Sequence, residues 1–283
     1  MKLPDTRIIL FNVAGGLVTF GVLLAVLRSF VFSPSVAPCS ERYIAGTIFG
    51  LERGGVLLTS ADLQARLGGK DVGLGDNVEI ARIKGGPTPV AMGVHLAKGS
   101  ASPHAPAATK GGVSFHWDPR SIQGKAAACL AYSVLLPADF DFHRGGVLPG
   151  IHGAEASSRS TDGFAAQLAW RRNGRGSVTN HVVIQGDHRS GNTEMKSFDF
   201  PAGRWVKLEQ EVVLNTPQQT DGLLRVWVDG KLAIEQGDMA YRARPEVTIT
   251  GIGADVFYGG DDAAGAAPKD ATIWLSPFEM RWQ

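Results

Sequence analysis

Three stretches of the chain hold side chains able to move protons or grip an anion. In GFAAQLAWRRNG, strand alternation puts Phe164, Ala166, Leu168 and Trp170 on one side and Ala165, Gln167, Ala169 and Arg171 on the other. In the following SVTNHVVIQ, Thr179, His181 and Val183 share a face opposite Asn180 and Val182, and register decides whether His181 faces Gln167. An imidazole exchanges protons near neutrality, and an amide or guanidinium can hold a carboxylate. His181 equally fits an ordinary strand histidine hydrogen-bonded at the surface. Upstream, DFHRGGVLPGIHGA sets His143, Arg144 and His152 around a Gly-Gly and a Pro-Gly. Flexible turns there would let cations approach an acidic ligand closely, although the same residues also fit a plain basic loop.

The elements that must position these groups read as β. The 36 glycines and 15 prolines, with short apolar runs between them, favour turns over long helices. Alternation begins at Val78 and Ile80 and continues through Val90, Met92, Val94 and Leu96. After a Ser/Pro/Ala/Gly-rich loop, VSFHW, CLAYSVLL, GFAAQLAWR, SVTNHVVIQ, WVKLEQEVVL, LLRVWVDGKLAIE, EVTITGIGADVFY and ATIWLSPFEMRW follow at strand length. Asp229-Gly230 predicts a two-residue hairpin turn, and Asp221-Gly222 a similar one. The chain is therefore expected to be an all-β, jelly-roll or β-sandwich domain over 77–283, preceded by a connecting region over 34–76. In that connector Ser60 is expected to cap a helix through ADLQARLGG, burying Ala61, Leu63 and Leu67.

Residues 1–33 stand apart. Ile8 to Leu27 carry no charge, and about 20 such residues would span roughly 30 Å as a helix. A retained transmembrane anchor is expected, with the body in the periplasm; a cleaved signal segment ending at Ser35-Val36-Ala37, and hence secretion, is the rival. Cys39 and Cys129 could pair in an oxidising compartment or stay apart. With 28 basic against 27 acidic residues, no nucleic-acid binding is expected. Neither the cysteine spacing nor Asp255, Asp261 and Asp262 makes a metal site the expected reading, and the tryptophans read as core.

In order, FHRGGVLPGIHG, GFAAQLAWRRNGRG, GRWVKLEQEVVLNTPQQTDGLLRVWVDGK, MAYRARPEVTITGI and DVFYGGDDAAGAAPKDATIWLSPFEM resemble polysaccharide lyase family 14, the alginate and glucuronan lyase type. The resemblance runs from Val78 to Trp282. It implies a jelly roll that binds an anionic, uronate-containing polysaccharide and cleaves it by β-elimination without a cofactor. The family pattern supplies a Lys near the GG-x-LPG turn, a Ser-x-Arg pair and a Tyr-x-Tyr pair. Aligned without gaps, these fall on His143, Arg144 or Val147, then on Ala165 and Gln167, then on Thr179 and His181.

Three readings follow. In a rebuilt enzyme, His181 is base or acid, Gln167 hydrogen-bonds the carboxylate and Arg144 or Arg171 neutralises it, while His143, His152, Asn180 and Tyr258 line the substrate. In the second, the domain is a non-catalytic carbohydrate-binding or assembly component of exopolysaccharide export or attachment. In the third, a shifted register brings in a tyrosine from Tyr132, Tyr241 or Tyr258.

Overall fold

The period of two in the sequence becomes, in the computed structural model, two stacked antiparallel sheets. The structure describes residues 16, 18–23, 36–106, 109–155, 162–259 and 263–283. In chain order the strands are β1 (Ala45–Phe49), β2 (Glu52–Arg53), β3 (Val56–Leu57), β4 (Asp71–Val72), β5 (Val78–Arg82), β6 (Val90–Leu96) and β7 (Ser100–Ala101). Next come β8 (Thr109–Lys110), β9 (Ser114–Trp117), β10 (Ala127–Leu135), β11 (Gly145–Glu155), β12 (Gly163–Arg171), β13 (Arg175–Ile184) and β14 (Asp187–Asp199). The last are β15 (Trp205–Val213), β16 (Gly222–Val228), β17 (Lys231–Met239), β18 (Val247–Gly253), β19 (Phe257–Tyr258), β20 (Ala271–Leu275) and β21 (Phe278–Trp282).

A nine-stranded sheet runs β17-β16-β15-β10-β20-β6-β5, with β21 beside β10 and β1 beside β21. An eight-stranded sheet runs β14-β13-β12-β11-β18-β9-β4, with β19 beside β11. The core lies between them. Phe164, Ala166, Leu168 and Trp170 of β12 point inward and face Leu130, Tyr132 and Val134 of β10 and Val206, Leu208 and Val212 of β15, all buried. Each such large apolar side chain contributes roughly 1.5–3 kcal/mol on burial.

Residues 37–283 form one compact unit, so the stretch expected as a connector is built into the sandwich. β1 pairs with β21 from Ala45↔Trp282 to Phe49↔Phe278, and β4 pairs with β9. Helix Ser60–Leu67 is capped by Thr59 rather than Ser60, since the Thr59 hydroxyl accepts from the Asp62 amide and Asp62 bonds back to the Thr59 amide. Leu63 is buried, whereas Ala61 is exposed. Asp229 and Gly230 both have positive φ, 47° and 76°, and close the β16–β17 hairpin as a two-residue turn. Asp221-Gly222 does not make such a turn: Asp221 instead accepts from the amide and hydroxyl of Thr216 at 2.6 and 2.7 Å, ordering a longer loop.

Cys39 and Cys129 form a disulfide. It seats the short helix Cys39–Arg42 on the outer surface of β10 and β15, where Glu211, almost fully buried, accepts from the Tyr43 hydroxyl at 2.6 Å and from Arg42 at 2.8 Å. Burial and the Glu211 carboxylate push the Tyr43 phenol well above its ordinary value, which keeps it a donor. The apolar stretch Ile8 to Leu27 lies mostly outside the described residues. Residues 16 and 18–23 are helical, and no helix among the described residues is long and apolar enough to cross a membrane.

Candidate functional site

β11 was expected as a basic turn; it is a strand with a break in register between Leu148 and Ile151. Pro149 and Gly150 make the break. A Cβ at Gly150 would lie 2.1 Å from the Ala166 carbonyl, so only glycine lets β11 approach β12 this closely. The irregular backbone is satisfied from the opposite sheet: Tyr132 donates to the Pro149 carbonyl at 2.9 Å, and Gln210 accepts from the Ile151 amide at 2.9 Å. This bulge sets where His152 emerges.

Register then fixes the outer face of the eight-stranded sheet. Ala165 of β12 stands between His152 of β11 and His181 of β13, and Gln167 stands beside Thr179. The four positions aligned with the Ser-x-Arg and Tyr-x-Tyr pairs thus form a two-by-two block, with His181 diagonal to Gln167 rather than opposite it. His181 is exposed and shares a hydrogen bond with Ser190 at 2.6 Å; the ring of His188 lies 5.7 Å away. Gln167 donates to Asp255. Arg171 donates to the hydroxyls of Ser177 and Thr179, both at 2.8 Å, and to Asn192. Burial lowers the Arg171 guanidinium from its usual value, against the pull of Glu194, but leaves it cationic. Thr179, which receives Arg171, is two residues from His181 on the same face, about 7 Å along the strand.

Other expected residues lie elsewhere. Asn180 points inward and is buried, with its side-chain oxygen unpaired among the described residues, because β13 presents its odd-numbered positions outward. Tyr258 is also interior: it packs against Phe140 and Trp170 and donates to the Asp141 carbonyl at 2.6 Å. Burial raises its phenol far above the ordinary value. Tyr43, Tyr132 and Tyr241 are buried too, so none of the four tyrosines reaches the sheet surface and the shifted register has no phenol to supply. His143 donates to the Ala264 carbonyl at 2.8 Å in the turn before β11. Arg144 is exposed beside it, at the end where Gly145 pairs with Arg171. His181 pairs six residues further along β12, about 20 Å away.

The other half of this face is built around residues that the sequence motifs do not single out. His116 and Asp118, at the end of β9, meet His152 across β18. Nε2 of His152 donates to Asp118 at 2.7 Å, and the His116 and His152 rings are 4.3 Å apart. Burial and the neighbouring His152 push the His116 imidazole below its ordinary value, while Asp118 and Asp255 pull it up. The H-x-D spacing in SFHWDP was the available signal.

The family model for polysaccharide lyase 14 matches residues 86–278. No curated protein sequence matches the chain. Among solved structures, the PL-14 alginate lyase of Aplysia kurodai superposes with a TM-score of 0.67 at 22% identity, covering 78% of this chain and 94% of that one. Alginate lyase vAL-1 from Chlorella virus gives 0.61 at 20% identity, covering 85% and 100%. Alginate lyase Aly36B, solved with an alginate trisaccharide, gives 0.61 at 18% identity, covering 88% and 97%. At these identities the likeness is one of fold.

Proposed function

Since this chain belongs to the polysaccharide lyase 14 family, we propose that the outer face of its eight-stranded sheet binds a uronate-containing polysaccharide and cleaves it by β-elimination. The observation that carries the reading is that one exposed face holds both a cation, Arg171, with no carboxylate in contact among the described residues, and an accessible imidazole, His181. Arg171 neutralises the uronate carboxylate, and Gln167 donates its remaining amide hydrogen to it, which makes the C5 proton more acidic. His181 takes that proton. The C5–H electron pair becomes the C4=C5 double bond, the C4–O4 bond breaks, and the protonated imidazole returns its proton to O4. With every tyrosine buried, histidine is the proton carrier this face offers. Arg144, at the far end of the strand pair, holds the carboxylate of a more distant sugar of the same polymer.

The reading extends to an exported, membrane-anchored protein with its body in the periplasm. The uncharged stretch Ile8 to Leu27 and the Cys39–Cys129 disulfide support it, because disulfides persist in oxidising compartments. The test of function is ultraviolet absorbance of unsaturated uronate ends, with alginate and glucuronan as substrates for the full chain. Rising absorbance that disappears in His181→Ala supports elimination by this residue. A flat trace with polymer retained on the protein makes the face a carbohydrate-binding surface of an export or attachment system instead.

A further inference from the structure

On the outer face β18 contributes glycines where its neighbours contribute side chains. A Cβ at Gly251 would lie 2.5 Å from Oδ1 of Asp118. One at Gly253 would lie 3.6 Å from Asp255, 3.7 Å from Gln167 and 3.9 Å from the His116 ring. The missing side chains leave a hollow, and into it His116 and Asp118 turn from one side and His152 from the other. Their ligand atoms, two imidazole nitrogens and a carboxylate oxygen, lie within 4.8 Å of one another.

We propose that His116, Asp118 and His152 bind a divalent first-row transition-metal ion, with Zn²⁺ as the representative. Two imidazoles and one carboxylate are the donor set such ions prefer over the all-oxygen shells of calcium and magnesium. Ligand atoms held about 2.0–2.1 Å from a tetrahedral ion stand roughly 3.3 Å apart. The 2.7 Å contact between His152 and Asp118 therefore opens by about 0.6 Å to reach that separation, while His116 closes in. On His152 the ion replaces the Nε2 proton, and Nδ1–H then donates to the Thr250 hydroxyl, 3.2 Å away, which fixes the ring as outer-shell partners do. Asp255 adds negative charge beside the triad, and Lys70, which acts on Asp118, opposes it. Three protein ligands leave a position open toward the sheet surface beside Gln167. On the proposed function, a uronate carboxylate takes that position.

Equilibrium dialysis of the full chain against Zn²⁺ tests the site without any substrate. One equivalent is expected to be retained, and the His116→Ala/His152→Ala variant, which removes two direct ligands, is expected to bind more than about 100-fold more weakly, since loss of an outer-shell partner alone costs about 10- to 100-fold. Asp118→Asn, which preserves shape, is expected to weaken binding as well, and circular dichroism and melting curves establish that each variant is folded. Unchanged binding in the double variant, or a loss confined to His181→Ala/His188→Ala, overturns the proposal, because the ion then sits on the other histidine pair. Alginate oligomer affinity with and without Zn²⁺ reads the open position separately. Tighter binding with the ion is expected, and equal affinity overturns the carboxylate contact but leaves the ion site intact.

Discussion

Gln210, on the nine-stranded sheet, reaches through the core to Ala166 on the other sheet and donates to its carbonyl at 2.7 Å. The same side chain accepts from Ile151 at 2.9 Å, so one amide ties the β11 bulge to the strand carrying Gln167. Gln210→Leu fills the space but strips two buried backbone groups of their partners, each costing about 1–3 kcal/mol. A loss of about 2–5 kcal/mol in urea unfolding is expected; a loss under about 0.5 kcal/mol would show that the brace contributes nothing.

Arg171 is expected to act through charge. Arg171→Leu should lower kcat/KM on alginate by about 10- to 100-fold, the equivalent of a hydrogen bond to a charged group at roughly 1.5–3 kcal/mol. Binding of an uncharged polysaccharide should change far less. Equal losses on charged and neutral polymers would argue that the residue merely supports β13 and β14.

The same comparison separates Arg144 from the reacting centre. Arg144→Ala should raise KM for long polyuronates and leave kcat nearly unchanged, while short oligomers, which do not reach the turn before β11, should be processed as before. A fall in kcat on the short oligomers would place Arg144 in the chemistry after all.

Removing the Cys39–Cys129 link, which joins residues 90 apart in sequence, releases a long loop in the unfolded chain. The Cys39→Ser/Cys129→Ser variant should lose about 2–5 kcal/mol. Equal denaturation midpoints for the wild-type protein with and without reductant would contradict this.

Asp221 supplies a pH dependence. The Thr216 hydroxyl and then the Thr216 amide hold its carboxyl below the ordinary carboxylate value. A depressed folded value means that the stabilisation is present above the unfolded value and is lost as pH falls through the folded one. In melting temperature against pH, Asp221→Asn should flatten part of the acid limb. Parallel curves would show that the loop does not sense this group.

Strands with apolar alternation were legible because one face of each must meet the core: β12 is read straight from Phe164, Ala166, Leu168 and Trp170. β14 was not, since DHRSGNTEMKSFD offers little for the core beyond Met195 and Phe198, yet its Ser190 and Asn192 form a wall of the site. β11 was hidden by Pro149 and Gly150, which look like a turn until the opposite sheet supplies Tyr132 and Gln210. Asn180 and Tyr258 needed register, which a pattern of types does not carry. His116 and Asp118 needed topology, because their partner His152 lies across a third strand.

Ala165 sits one strand spacing from His152 and one from His181, so the two imidazoles flank it about 10 Å apart. Its single methyl group is the floor of the slot between them. On the proposed function, each carbon added at this position would raise that floor, so the bulk of a residue with no chemistry of its own would govern how deep a sugar could sit. Polymer choice would then be open to change by drift at one inert site, independently of the groups proposed to move protons.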